Sequence, residues 1–211
     1  MKTPNPIRRS SKSGFTLIEI SAVILIIAIL TALLVSNLWG ANESAKINLT
    51  QSLLAQLSSA ADQYENETGD YPPSTFTSDE SANEGVNVGI EAFVAALFSN
   101  NYEAFGALTD DQLMNTDDDK AAKPVSDLGR GLFEAVDGWE NPIAYIHNRD
   151  YGEDNRQYQT IDAETDDYVT GIVLARKNPD TGRYERKTKY QFVSAGPDGL
   201  FGTEDDITNF D

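Results

Sequence analysis

The C-terminal stretch "SAGPDGLFGTEDDI", residues 194–207, contains the residues best suited to chemistry. Its four carboxylates fall within nine positions, at Asp198, Glu204, Asp205 and Asp206. Three glycines and a proline lie in the same stretch and favour tight turns. Calcium takes roughly six to eight oxygen ligands, from carboxylates and from the carbonyls of a folded-back loop. The run lacks the ligand spacing of an EF-hand. The residues alone therefore leave two interpretations open, a calcium-type site and a plain acidic turn.

Residue types elsewhere argue against catalysis. The chain has no cysteine, which excludes disulfides, thiolate nucleophiles and zinc–thiolate sites. Its only histidine, His147, is predicted to be a strand side chain near the surface rather than a general base. Asp117–Asp119 form a charge run, which is typical of a solvated loop rather than a metal site. The sequence has no Gly-x-Ser-x-Gly motif, which argues against a serine nucleophile. A membrane-anchored periplasmic enzyme that uses paired carboxylates is a remote alternative.

The first structural element along the chain is the apolar stretch at 15–35. Only four of its 21 residues are not apolar: Thr16, Glu19, Ser21 and Thr31. A helix of this length spans about 30 Å, the thickness of a hydrocarbon core, so the stretch predicts a transmembrane helix. An ordinary signal peptide has a shorter apolar core and a small-x-small cleavage site behind it, and the sequence shows neither. The basic residues before the stretch predict a cytoplasmic N-terminus and a body outside.

Glu19 is the one charged residue in that stretch. A carboxylate at the bilayer centre costs roughly 2.5–3.5 kcal/mol and costs less near a helix end. One interpretation is that Glu19 reaches back to the lipid headgroups. The other requires a cation at membrane depth, such as the α-amino group that a cut between Gly14 and Phe15 would create on a neighbouring subunit. The residues alone do not fix the position of that cut.

Charge is distributed unevenly along the chain. The 211 residues include 34 acidic and 16 basic side chains, for a formal charge of −18. Four of the basic residues and none of the acidic ones lie in the first fourteen positions, so the other 197 residues carry 12 basic and 34 acidic side chains. A body this acidic repels phosphate backbones, which argues against nucleic acid as a partner and favours hard cations.

The remaining elements predict an α+β fold, with one long N-terminal helix packed on a small antiparallel sheet. An amphipathic helix is expected over 36–69, ending at Gly69, with an apolar stripe of Leu49, Leu53, Leu57, Ala60, Ala61 and Tyr64. The region 70–134 is a variable segment of loops and helix in which Phe93, Leu97 and Phe98 are expected to face a core. Strands follow over 135–211, with a β-turn at "NPDTG".

The N-terminus resembles that of the type IV pilin and pseudopilin superfamily. The resemblance rests on "GFTLIE" followed by the long apolar helix. It implies a leader peptide at 1–14, a cut by prepilin peptidase after Gly14, N-methylation of Phe15 and a role for Glu19 in filament assembly. It also implies the long helix and small sheet of the pilin fold.

Three further segments resemble the major-pseudopilin group of type II secretion. They are "TGDYPPS" at 68–74, "DGWENPIAY" at 137–145 and the acidic loop itself. The resemblance implies a calcium site whose ligands are the side chains of Asp198, Asp205 and Asp206 and the carbonyls of Ser194 and Leu200. Glu140 departs from the glycine that is usual after the tryptophan, and the mature chain is longer than usual for this group.

The function that the resemblance implies is structural. Such a subunit is anchored in the inner membrane with its domain in the periplasm, and it polymerises with copies of itself into a periplasmic filament. Its expected partners are prepilin peptidase, an inner-membrane assembly platform with an ATPase, and minor pseudopilins. The alternative within the superfamily is a type IV pilin or a minor pseudopilin for adhesion, motility or DNA uptake. The negative charge weakens the case for DNA uptake.

Overall fold

The structure is a computed structural model that describes residues 16–76, 85–99 and 108–210, with only the backbone described for 32–41. It divides into two compact units, one ending at Asn42 and one comprising Glu43–Asp211. The helices are α1 (Leu17–Thr68) and α2 (Val88–Leu97), with short 3₁₀ turns at Asp110–Gln112 and Asn148–Asp150. The strands are β1 (Leu113–Met114), β2 (Glu134–Ala135), β3 (Ala144–His147), β4 (Gln157–Ile161), β5 (Tyr168–Ile172), β6 (Tyr190–Ser194) and β7 (Ile207–Thr208).

The strands form three small antiparallel sheets instead of the single sheet expected from the sequence. β1 pairs with β2, β4 pairs with β5, and β6 lies between β3 and β7. The "NPDTG" turn forms as predicted, with the Gly182 amide donating to the Asn178 carbonyl at 2.9 Å. However, the strands on either side of the turn belong to different sheets. The α+β fold class is confirmed, with a long helix packed on antiparallel strands.

The end of α1 follows from its sequence. Gly69 has φ +87° and its amide donates to the Glu65 carbonyl at 2.8 Å, so the chain leaves the helix at a residue that tolerates a left-handed conformation. In the second unit, the face of α1 that carries Leu53, Leu57 and Ala61 is buried. Leu49, which lies on the same stripe, is 64% exposed, so the packing covers most of the stripe but not its first residue.

The core of the second unit is built around aromatic rings. Phe93 of α2 lies 4.6 Å from Tyr145 of β3 and 5.2 Å from Phe192 of β6 between ring centroids, and all three are completely buried. Contacts of this kind add to the stabilisation from burial alone. Leu97 is also fully buried and Phe98 partly buried, which confirms the expectation that this short helix faces a core.

In the first unit the side chains of residues 16–31 are exposed. Among the described residues, no helix has both the length and the apolarity of a membrane crossing.

Candidate metal-binding loop and assembly motif

The acidic loop connects β6 to β7 and folds back tightly on itself and on β4. Gly196 has φ +66°, and a Cβ there would lie 2.2 Å from the Asp205 carbonyl oxygen. Gly199 has φ +74°, and a Cβ there would lie 1.9 Å from the Ile161 carbonyl oxygen. Both positions therefore need glycine for conformation and for space. The approach at Gly196 holds the loop against itself, and the approach at Gly199 holds it against the end of β4.

Three of the predicted ligand positions converge inside this loop. The Asp198 amide donates to Oδ2 of Asp205 at 3.0 Å, and Oδ1 of Asp198 accepts from the Leu200 amide at 2.7 Å. The Thr203 hydroxyl, which has one proton to donate, lies within hydrogen-bonding distance of both the Leu200 carbonyl, at 3.1 Å, and the Asp205 carboxylate. Burial acts to raise the pKa of Asp205, but hydrogen bonds from Thr203 and Asp198 outweigh it and lower that pKa. Asp205 is therefore held ionised among hard oxygen donors, which fits a calcium ligand.

Asp206 faces a different neighbour. Its Oδ2 atom is paired with the guanidinium of Arg176 and also accepts from the Gly202 amide at 2.9 Å. Its side chain is only 4% exposed, and Oδ1 is buried without a hydrogen bond in the described part of the chain. A buried carboxylate oxygen that has no hydrogen bond, as Oδ1 has none, fits a metal ligand. The other oxygen, Oδ2, already has a positively charged partner in Arg176. The three carboxylates of Asp198, Asp205 and Asp206 do not form a set with one oxygen each within 4.8 Å of the others.

Ser194 is linked to a residue that the sequence did not single out. Its hydroxyl donates to Oδ2 of buried Asp137 at 2.6 Å and accepts from the Gly196 amide at 3.1 Å. Oδ1 of Asp137 accepts from the amides of Trp139 and Asn141 at 2.9 and 3.0 Å. Burial raises the pKa of Asp137 to about 6, against the opposing effect of the Ser194 hydrogen bond. Asp137 therefore joins the "DGWENP" turn to the start of the acidic loop.

The same turn is also attached to α1 and β4. The Gly138 amide donates to the Thr50 hydroxyl at 3.0 Å, and the ammonium of Lys46 lies 5.8 Å from the centroid of the Trp139 ring. Asn141 accepts from the Ile161 amide at 2.7 Å through Oδ1. The aspartate at the start of "DGWENP" indicates such a turn in the sequence, because Asp side chains readily accept hydrogen bonds from the amides that follow them.

The acidic run Asp117–Asp119 is not the solvated loop that the sequence predicted. Asp118 is exposed, but Asp117 is half-buried and lies with buried Glu91 and Glu134 in a group whose carboxylate oxygens are within 4.8 Å of one another. Both carboxylate oxygens of Asp119 are buried as well. The reason is tertiary: Glu134 lies on β2, and its Oε2 atom accepts from the Thr116 amide at 2.9 Å, which draws the acidic run inward.

Burial controls the ionisation of this acidic group. It raises the pKa of Glu134 to about 8, although the hydrogen bond from Thr116 acts in the opposite direction. Burial and the neighbouring charge of Asp117 raise the pKa of Asp119 to about 7. Burial raises the pKa of Asp117 too. Protonation of Glu134 at neutral pH relieves its repulsion with the neighbouring carboxylates.

His147 is buried, so its predicted position near the surface is wrong. It ends β3 with 1% exposure, its Nε2 atom lies 3.2 Å from Oδ1 of Asp70, and its Nδ1 atom accepts from the Arg149 amide at 3.1 Å. Burial lowers its pKa. The side chain therefore fastens the segment after α1 to the sheet.

At the N-terminal end, Gly14 and Phe15 lie outside the described residues. Glu19 is exposed, and its Oε2 atom accepts from the amide and the hydroxyl of Thr16, each at 2.7 Å. The carboxylate therefore caps the Thr16 amide in the first turn of α1, where negative charge is favourable.

The N-terminal segment of the chain matches a known protein family. The family model described as the prokaryotic N-terminal methylation motif matches residues 9–35. With that motif at the start of a long helix and small antiparallel sheets after it, the chain is similar to type IV pilin-like proteins. No solved structure matches the chain significantly.

The chain is also similar to the type II secretion system core protein G of several bacteria. It is 26% identical to that protein of Escherichia coli strain K12 over 93% of this chain and 90% of the relative. It is 43% identical to that of Klebsiella michiganensis and 38% identical to that of Aeromonas hydrophila, each over 31% of this chain and 46% of the relative. The chain thus spans less than half of these two relatives. The resemblance predicted from the sequence is confirmed.

Proposed function

We propose that this protein is a structural subunit of a type II secretion pseudopilus, a periplasmic filament that drives protein export. The observation that carries the proposal is the methylation motif at 9–35 together with similarity to core protein G along most of the chain. The relatives are named as secretion components and not as enzymes.

In this proposal prepilin peptidase cuts after Gly14 and Phe15 is then N-methylated. The chain is held in the inner membrane by 15–35, with its C-terminal domain in the periplasm. Glu19 pairs with the amino group of Phe15 on a neighbouring copy and thereby sets the axial register. The hydrogen bonds that Glu19 makes to Thr16 support this role, because they hold the carboxylate at the very start of α1, within reach of such an amine. The assembly platform, its ATPase and minor pseudopilins are the further partners.

Calcium is proposed as a structural ion of the acidic loop. Asp198, Asp205 and the Leu200 carbonyl would hold it, with Asp206 contributing its free Oδ1 atom and Ser194 its carbonyl. The support is the convergence of hard oxygen donors in one turn and the buried Oδ1 atom of Asp206. The ion would supply positive charge that stabilises the folded-back loop between β6 and β7.

The assembly role is tested by Glu19→Ala in cells that carry the complete secretion apparatus. The variant is expected to reach the membrane and to be processed normally but to yield no filament, because the register pair is lost. Glu65→Ala, a carboxylate removed near the other end of α1, is the matched control and should assemble. Filaments sheared from cells and counted by electron microscopy give the measurement. A normal filament yield from Glu19→Ala would contradict the proposed role.

A further inference from the structure

The hairpin of β4 and β5 turns one of its two faces to solvent. Directly opposed residues of an antiparallel pair share a face, and the register sets Tyr168 against Ile161 and Ile172 against Gln157. The other face carries Tyr158 and Thr160, which are buried. The solvent face of β5 therefore consists of Tyr168, Thr170 and Ile172, and Leu174 continues it beyond the strand.

This face is unusually apolar for an exposed strand. Tyr168 is 68% exposed, Ile172 56% and Leu174 54%. Within the described residues, β5 pairs only with β4, so it is also a sheet edge. Proteins normally protect an apolar edge strand with charges, a bulge or a covering segment. Along about 20 Å of this strand the outward side chains include no charge.

Charges of opposite sign lie at the two ends of this apolar stripe. The turn before β5 holds Glu164, Asp166 and Asp167, all exposed. The segment after it, 176–189, holds six of the 12 basic residues that follow the first fourteen positions. Of these six, Lys177, Arg183 and Lys187 are exposed. None of the exposed charges at either end forms a salt bridge with another described residue.

The surface therefore has an acidic end, an apolar middle and a basic end. Such a surface is complementary to a second copy of itself that runs in the opposite direction. A second strand laid antiparallel brings Tyr168 to Leu174 of the other copy, and it brings the acidic turn to the basic segment beyond Leu174. A two-fold contact requires such self-complementarity of one surface patch. A nucleic acid or an acidic lipid surface would match only the basic end.

We propose that the solvent face of β5 binds the same face of a second copy of this chain in antiparallel orientation. The partner is held by apolar contact along the stripe and by charge pairs at both ends. The contact involves few residues, so it is a reversible, salt-sensitive association rather than a permanent dimer. It is separate from the register pair of Glu19 and does not depend on the proposed function.

Cysteine cross-linking tests the geometry directly, because the chain has no cysteine of its own. Tyr168→Cys and Leu174→Cys are made separately in the full-length chain in membranes, in a Glu19→Ala background that removes filament packing. A mixture of the two variants is expected to give severalfold more disulfide-linked dimer than either variant alone. Leu49→Cys mixed with Tyr168→Cys is the control for random collision, since Leu49 is equally exposed and lies on α1. A yield in the mixture no higher than in this control, or equal yields from Tyr168→Cys alone, would overturn the proposal.

Charge reversal tests the ends of the stripe. Adding Asp166→Lys with Asp167→Lys to both cysteine variants should abolish the cross-link, and so should adding Lys177→Glu with Arg183→Glu to both. When one cysteine variant carries the acidic-end reversal and the other carries the basic-end reversal, the cross-link should return, because opposite charges again meet at both ends. Unchanged circular dichroism verifies that each variant is folded. Full cross-linking in either reversed pair, or no recovery in the combination, would refute the charge pairing.

Discussion

At the scale of single residues, Glu134 gives the most specific expectation for how the free energy of unfolding depends on pH. Its carboxyl is completely buried on β2, beside Glu91 and Asp117 and with no basic side chain in hydrogen-bonding contact in the described structure. The folded protein therefore retains a proton there that the unfolded chain releases. Asp119 and Asp137 act in the same direction.

The free energy of unfolding is accordingly expected to fall as pH rises from about 4.5 to about 8, the interval between the ordinary and the raised pKa of Glu134. Glu134→Gln removes the ionisable group and keeps its shape, so it should stabilise the protein at pH 8 by about 1 kcal/mol or more and flatten the profile. Urea unfolding at several pH values gives the measurement. Glu164→Gln, an exposed carboxylate, should leave the profile unchanged. If both variants follow the wild type, Glu134 ionises normally.

The calcium proposal is also tested at the scale of residues, by substituting two aspartates of the loop. Asp205→Ala combined with Asp206→Ala removes two carboxylates from the loop and is expected to abolish any stabilisation by calcium. The wild type should gain roughly 2–3 kcal/mol when free calcium exceeds its dissociation constant about a hundredfold. Thermal unfolding with calcium and with a chelator measures this difference. Asp110→Ala with Asp111→Ala is the control for lost charge, because both residues are exposed and lie on another element. Melting temperatures that calcium never shifts in the wild type would remove the site.

At the scale of elements, the acidic loop depends on its close approach to β4. Gly199→Ala would push a Cβ into the Ile161 carbonyl and should destabilise the fold by about 1–3 kcal/mol beyond the cost of its positive φ. Gly202→Ala isolates that cost, since Gly202 also has a positive φ but no atom within 4 Å of an added Cβ. The difference between their melting temperatures gives the measurement. Equal losses would mean that the loop does not rest on β4.

Sequence patterns predicted the elements whose signals are local. The stop of α1 at Gly69, the buried face of α2 and the "NPDTG" turn each depend on residues close together in the chain. The division into three sheets was not predictable in this way, since β5 and β6 look alike as patterns but pair with different strands. The burial of Asp117 and His147 was missed for the same reason, because it is caused by distant partners, Glu134 and Asp70. Asp137 was missed because its role appears only when β6 brings Ser194 beside it.

At the scale of the whole molecule, charge and apolar surface are separated along the chain. All 34 acidic side chains lie beyond residue 14, and six of the 12 basic side chains beyond that point lie in 176–189, after β5. Like charges keep such bodies apart in solution, so any association must use surfaces where the signs differ. The proposed filament register at Glu19 and the proposed antiparallel contact of β5 would be two such places, and they can be measured independently.

In the proposed function the chain is a pilin-like subunit whose mature N-terminus is Phe15. Intact mass spectrometry of the protein extracted from membranes of the producing cell measures this. The expected mass lacks residues 1–14 and carries one additional methyl group, and Gly14→Asp is expected to block both changes. An unprocessed chain, or a cut at another position, would contradict it.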